Sequence, residues 1–390
     1  MKKIIVLLHI LSLYTFGFSQ CVTTEDANNI ISSCKFDGSG MGTEDSRTSK
    51  TIVTQAGKWM STIFTTVIDP AIKKTKGLRG TLNGMVRITK DDGLTPYQIL
   101  SFMQELGCTK SQKLYEKDES GVKFLFEINS LSGIATAITH GEYVLVKEST
   151  EIKTILDKVN GRQLYLLDQP TASEQYAEFP YYKKEDNGDK KIVVAKDGIP
   201  LFLPVSIKDV LLVLKNNYSM SLNGQNKMYT DFINKGEAGY LSQMDIPTYE
   251  ATFGKEAAQK AKLDYIKTFH ETADGFTKMM DENPLKKWIS RIDSYLKIST
   301  PAQLAKPCIV NSSFNPTDNP ITDDQFFDAA ADGMQYITIN PAYSNQKDPT
   351  TPQFVVIENT LNSKSGISLA AKKDFEKSID FKKLQSLLGK

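Results

Sequence analysis

Histidine is scarce here, with 3 residues in a chain of 390. One of them, His9, falls in the apolar leader, so only His140 and His270 stand in the body of the chain. Imidazole is the usual general base and the commonest metal ligand. Ser-His-acid triads and histidine-rich metal sites therefore have little to draw on. Cysteine is sparse too: Cys21, Cys34, Cys108 and Cys308. No C-x-x-C pair occurs, whereas structural zinc sites cluster their ligands in close pairs. After the first 19 residues long apolar runs are missing, the longest aliphatic stretch there being VLLVL at 210–214. A membrane span needs about 18 apolar residues or more. Charge of one sign is not in excess, the formal net charge being +1. Such a chain lacks the basic footprint of a nucleic-acid binder. Gly38, Gly40 and Gly42 make no phosphate loop, because no strand precedes them and no Gly-Lys-Ser/Thr follows. No Gly-x-Ser-x-Gly nucleophile elbow and no fixed-period repeat is found. No cofactor is expected.

What is present begins with the leader, MKKIIVLLHILSLYTFGFSQ. Lys2 and Lys3 supply a positive start, Ile4 to Leu13 are nearly all apolar, and Gly17 and Ser19 are small and two apart. These are the three parts of a secretory signal peptide spanning 1–19, with cleavage before Gln20. The leader resembles those of bacterial exported proteins, many of which mature at a Gln. A bacterial lipoprotein signal is similar, but Phe18 and Gln20 stand where that motif has Leu and a small residue. Cleavage without lipidation is favoured, a lipid anchor at Cys21 being the alternative. The expected location is the periplasm, the cell surface or the exterior.

Four cysteines in an exported chain point to disulfides, and four allow three pairings. Cys21 with Cys34 closes the shortest loop, leaving Cys108 with Cys308; that pairing is favoured.

Residues 20–50 read as an irregular N-terminal segment rich in Gly, Ser, Thr and Asp. From Thr51 the apolar residues fall at helical intervals through Ile68, with Pro70 marking a kink or a restart capped by Asp69. Period two at Leu78, Leu82, Val86 and Ile88 predicts a strand. Thr95-Pro96 predicts a capped helix running to Leu106. A hairpin is expected at Glu119-Ser120-Gly121, with further strands over 142–148 and 162–168. A helix is expected from Ser149 to near Gly161. Asn187-Gly188 and Asp197-Gly198 signal two more hairpins. Ser206 with Asp209 opens a helix burying Val210, Leu211 and Leu214.

Residues 222–306 turn rich in Lys, Glu, Ala and Met, and predict a helical subdomain. It would be inserted after an α+β domain at 51–221. Strands and a terminal helix at 307–390 would rejoin that body. The fold class is therefore α+β, with mixed or antiparallel sheet regions and packed helices.

Two groups of residues are candidates for function. His270-Glu271-x-x-Asp274 approaches the His-Glu-x-x-His helix of zinc metallopeptidases, with Asp274 in place of the second histidine. The resemblance spans five residues and implies metal-dependent hydrolysis, with His270 and Asp274 as ligands and Glu271 as base. The second group is Tyr176, Phe179, Tyr181 and Tyr182, in a connection between Pro170 and the strands that follow. Aromatics there suit contact with a protein or carbohydrate ligand. The reading favoured is an exported, non-catalytic binding protein, the alternative a secreted hydrolase built on His270.

Overall fold

The computed structural model describes residues 21, 23–36, 42–43, 48–87, 94–130, 133, 139–145, 160–168, 182–184, 190–311, 333–343, 347–362 and 364–390. The leader, Tyr176, Phe179 and Tyr181 lie outside that set. In chain order the strands are β1 (Ser33–Phe36), β2 (Gly42–Thr43), β3 (Leu78–Val86), β4 (Tyr97–Cys108) and β5 (Leu114–Glu116). Then come β6 (Val122–Ile128), β7 (Thr139–Leu145), β8 (Asn160–Asp168), β9 (Tyr182–Lys184) and β10 (Lys190–Val194). The last four are β11 (Phe202–Pro204), β12 (Ile309–Asn311), β13 (Gly333–Ile339) and β14 (Val355–Leu361). The helices are α1 (Thr24–Asn29), α2 (Lys50–Ile63), α3 (Asp69–Ile72), α4 (Ile207–Asn234), α5 (Gly236–Leu241) and α6 (Ile246–Phe253). After them come α7 (Lys255–Asp281), α8 (Pro284–Ile298), α9 (Pro301–Leu304), α10 (Gly366–Ser378) and α11 (Phe381–Gln385). This is an α+β fold with a helical segment inserted between strands. No helix among the described residues is long and apolar enough to cross a membrane.

The chain divides into two units: residues 1–143, 170–203 and 339–390, and residues 144–169 and 204–338. The first holds a mixed sheet in the order β1-β3-β4-β6-β14-β10-β9, with β2 added along β3 and β5 along β4. β1 and β2 run parallel to β3, and the other pairs are antiparallel. The C-terminal strand β14 sits between β6 and β10.

One face of this sheet carries the core. Leu78, Leu82, Val86, Tyr97, Ile99, Met103, Phe124, Phe126, Val355 and Ile357 point into it. Against them pack Met60 and Ile63 of α2, Ile72 of α3 and Phe375 of α10. Phe375 stacks on Phe124 at 3.8 Å between ring centroids and meets Phe126 edge-on. Each such fully buried side chain contributes about 1.5–3 kcal/mol. Between α2 and α3 the backbone passes through a π-turn at Phe64–Ile68. Pro70 explains it: a proline has no N–H and its ring crowds the preceding turn. Widening that turn keeps the helix running, so Ile68 and Ile72 stay in the core.

Several expectations are corrected. The helix expected from Pro96 to Leu106 is instead largely β4, a twelve-residue strand paired with β3 on one side and β6 on the other. Ser101 and Glu105 sit among its core-facing positions and mask the alternation. Two ladders outweigh one Pro signal. The turn at Glu119 is real, with φ of 53° there and 92° at Gly121. Yet β5 and β6 both pair with β4 and not with each other. The turn is tied to β4 by Lys117 N donating to Glu105 O and by Glu105 N donating to Ser120 Oγ. Gly198 makes a turn with φ of 68°, but β10 and β11 enter different sheets, so it closes no hairpin. Residues 20–50 are not wholly irregular. Thr23 and Asp26 form a capping box for α1, and β1 follows. The helix expected from Ser149 lies outside the described residues up to Asn160, where β8 begins.

The disulfide is Cys21–Cys108, with Cα atoms 5.8 Å apart. Cys34 and Cys308 are free thiols, so the pairings Cys21–Cys34 and Cys108–Cys308 do not form. Proximity in sequence misled here, because α1 and β1 direct Cys34 toward Ser101 Oγ at 3.4 Å. Cys308 is buried in the second core, and burial pushes its thiol pKa far up.

A second, smaller sheet has the order β11-β13-β8-β7, with β12 on β13. The second unit's core joins Leu164 and Leu166 of β8, Val210, Leu211 and Leu214 of α4, Ile292 of α8 and Tyr336 of β13. Ser206 caps α4 by accepting from Asp209 N, as the sequence indicates.

Candidate partner-binding surface

The helical insertion starts earlier than 222, because α4 is one unbroken helix of 28 residues. At 1.5 Å per residue it is about 42 Å long. Its buried residues all lie between Ile207 and Tyr218. Past that point α4 leaves the core and packs with α7 of 27 residues, which buries only Ala258 and Phe269. α5 and α6 bury nothing fully. The insertion is thus an arm of helices without a closed core.

Local chemistry builds the arm. Gly254 has φ of 87°, a left-handed conformation suited to glycine, and it both ends α6 and starts α7. Asn283 caps α8 ahead of Pro284 at the first helical position. Its Nδ2 also donates to Gln225 Oε1 at 2.8 Å, which ties α8 to α4. Trp288 meets Tyr218 edge-on at 5.2 Å.

An aromatic seam holds α4, α5 and α7 together. Tyr229 stacks on Phe276 at 4.6 Å, and Phe232 meets Phe276, Phe269 and Tyr240 within 5.6 Å. Tyr240 stacks on Tyr265 at 4.4 Å. Such pairs add about 0.5–1.5 kcal/mol each beyond their burial. The seam is only partly closed, since Phe232 and Phe276 remain half-exposed. Met228 is 58% exposed, Met279 55% and Leu263 58%.

Along this seam runs a groove of ≈ 540 Å³ lined by Gly224, Lys227, Met228, Phe232, Lys235 and Phe276, with Asp231 at its rim. Its floor is apolar, its edges charged. Lys227 and Asp231 pair one turn apart at 2.6 Å. Gly224 lies within α4, and a Cβ built there would touch nothing within 4 Å. A mid-helix glycine costs about 1 kcal/mol relative to alanine. Here the absent side chain widens the groove.

The hydrolase candidates fall on this same arm. His270 is exposed on α7 and its Nε2 lies 2.7 Å from Glu237 Oε1 of α5. Glu271 pairs with Lys267 at 3.7 Å, and Asp274 is exposed one turn further on. Among the described residues no group of three His, Cys, Asp or Glu side chains is placed to hold a metal ion. Tyr182 opens β9, and His140 lies in β7. The groove residues passed unnoticed in sequence. Their signal was Gly224 inside a helical run, with aromatics at helical spacing on two helices. No family model, curated protein or solved structure matches the chain.

Proposed function

We propose that this is an exported, non-catalytic binding protein that docks a partner protein into the α4–α7 groove. The observation that carries the reading is the exposed apolar floor of Met228, Phe232 and Phe276 on an arm that closes no core. Methionine suits such a surface, because its unbranched, polarisable side chain repacks around different shapes. A helical segment presenting one apolar side chain per turn fits the groove, and this is a common mode of recognition. The leader supports export. The free energy spent on Gly224 supports selection for an open groove rather than for helix stability.

The test uses a photo-crosslinking amino acid at Lys227, on the groove rim, in the producing cell. A discrete higher-mass adduct is expected. Gly224→Leu should abolish it while raising the arm's thermal stability, since leucine favours helix and fills the groove. No adduct, or an adduct that survives Gly224→Leu, refutes the reading.

A further inference from the structure

A second concave site lies in the other unit, on the face of the large sheet turned away from its core. It is a cavity of ≈ 390 Å³ near the β5–β6 turn. That volume sits in the range of small-ligand pockets. Its walls are Thr81 of β3, Phe102 and Gln104 of β4, Glu116 of β5, Glu119 of the turn and Asn362 after β14.

Phe102 is 44% exposed in the middle of a long, doubly paired strand. Around it converge a hydroxyl, two amides and two carboxylates. None of these five polar side chains bonds to another described residue. Their backbone is nonetheless held firmly. Ser120 Oγ donates to Lys117 O and accepts from Glu105 N, which fixes the turn. Asn362 N donates to Gly121 O at 3.0 Å. The Cys21–Cys108 bridge anchors the end of β4. The backbone of the site is fixed, while its solvent-facing side chains can turn onto a ligand.

We infer that this cavity binds a pyranose sugar. A pyranose has one face of C–H groups, which suits the flat apolar ring of Phe102. Its rim of hydroxyls both donates and accepts. Gln104 and Asn362 amides do both as well, and the carboxylates of Glu116 and Glu119 accept only. A phosphate-bearing ligand is disfavoured by the two carboxylates. An added peptide strand is disfavoured because the site lies on a sheet face and not on an edge.

The test is saturation-transfer NMR with calorimetry on the full chain, using neutral methyl pyranosides, N-acetylhexosamines and their linear oligomers. Binding of at least one is expected. Phe102→Ala should weaken it about tenfold and Gln104→Ala about threefold. Phe253→Ala, an exposed aromatic of α6, should leave it unchanged. Equal binding of single rings and oligomers identifies free sugar as the ligand. Binding of oligomers alone identifies a glycan chain. No binding across the panel overturns the inference, as does an affinity that neither Phe102→Ala nor Gln104→Ala alters. Binding of an alkyl diamine in place of every pyranoside also overturns it, since carboxylates and an aromatic ring then serve a cation. The site is separate from the helical arm, so its failure leaves the crosslinking result standing.

Discussion

Opening the Cys21–Cys108 bridge should loosen the first unit by an amount that its position in the chain sets. The linked residues are 87 apart in sequence. In the chain-entropy description, a loop of that size restricts the unfolded ensemble by about 4.6 kcal/mol. Native bridges of this kind stabilise by about 2–5 kcal/mol in practice. The folded state keeps its other anchors when the bridge opens. β1 still pairs with β3 from Ser33 to Phe36, and Ala27 of α1 stays buried. Most of the loss should therefore come from the unfolded side, with the denaturant slope nearly unchanged. The chain contains 2 tryptophans, Trp59 packed on the first core and Trp288 on the second. In a Trp288→Phe background, fluorescence of Trp59 reports the first unit alone. Urea unfolding of that protein with and without reductant should show a fall of about 2–5 kcal/mol. A Cys21→Ser variant should match the reduced protein and no longer respond to reductant. A change below about 1 kcal/mol would refute the reasoning. So would peptide mapping that finds Cys21 joined to Cys34.

Two further outcomes follow from buried polar groups. Asn129 is fully buried with φ of 56°, accepts from Gln353 N at 2.7 Å and donates to Thr351 O at 3.0 Å. Asn129→Ala should cost about 3 kcal/mol or more, and Asn129→Gly about 1 kcal/mol less, because glycine removes only the backbone strain; equal losses in urea melts would contradict this. Burial raises the carboxyl pKa of Glu127 above its ordinary 4.5, against the pull of Arg87, whose Nη1 lies 3.0 Å from Oε1. The folded chain then keeps that proton to higher pH than the unfolded one, so the group's contribution to stability falls as pH rises above 4.5. Stability curves of wild type and Glu127→Gln should therefore diverge in the variant's favour across that window; divergence in the wild type's favour would show that Arg87 governs instead, and parallel curves would show no net shift.

Much of the fold was readable along the chain where a local rule acted alone. The alternation of Leu78, Leu82 and Val86 places β3 with its core face correct. Ser206 and Asp209 mark the start of α4 because a cap is a contact three residues long. The Lys-, Ala- and Glu-rich block reads as helix because its propensities sum over many residues. Other elements were hidden. β4 carries Ser101 and Glu105 on its inner face, and Glu105 is held there by Ser368 Oγ of α10 at 2.6 Å, by Ser365 Oγ at the cap of α10 and by Lys117 Nζ at 3.5 Å. α10 itself went unread, although Ser365 caps it.

The order of residues alone settled the α+β class and the helical insertion. Those properties rest on short-range periodicity, propensity and capping. Tertiary structure alone decided which cysteines meet, that β5 and β6 share one edge of β4, and that β14 comes to lie between β6 and β10. It also decided the two concave surfaces. Gly224, Phe232 and Phe276 come from two helices, and Thr81, Phe102 and Asn362 from three distant segments. Contacts between segments far apart in sequence depend on packing and loop closure, and no local pattern encodes them.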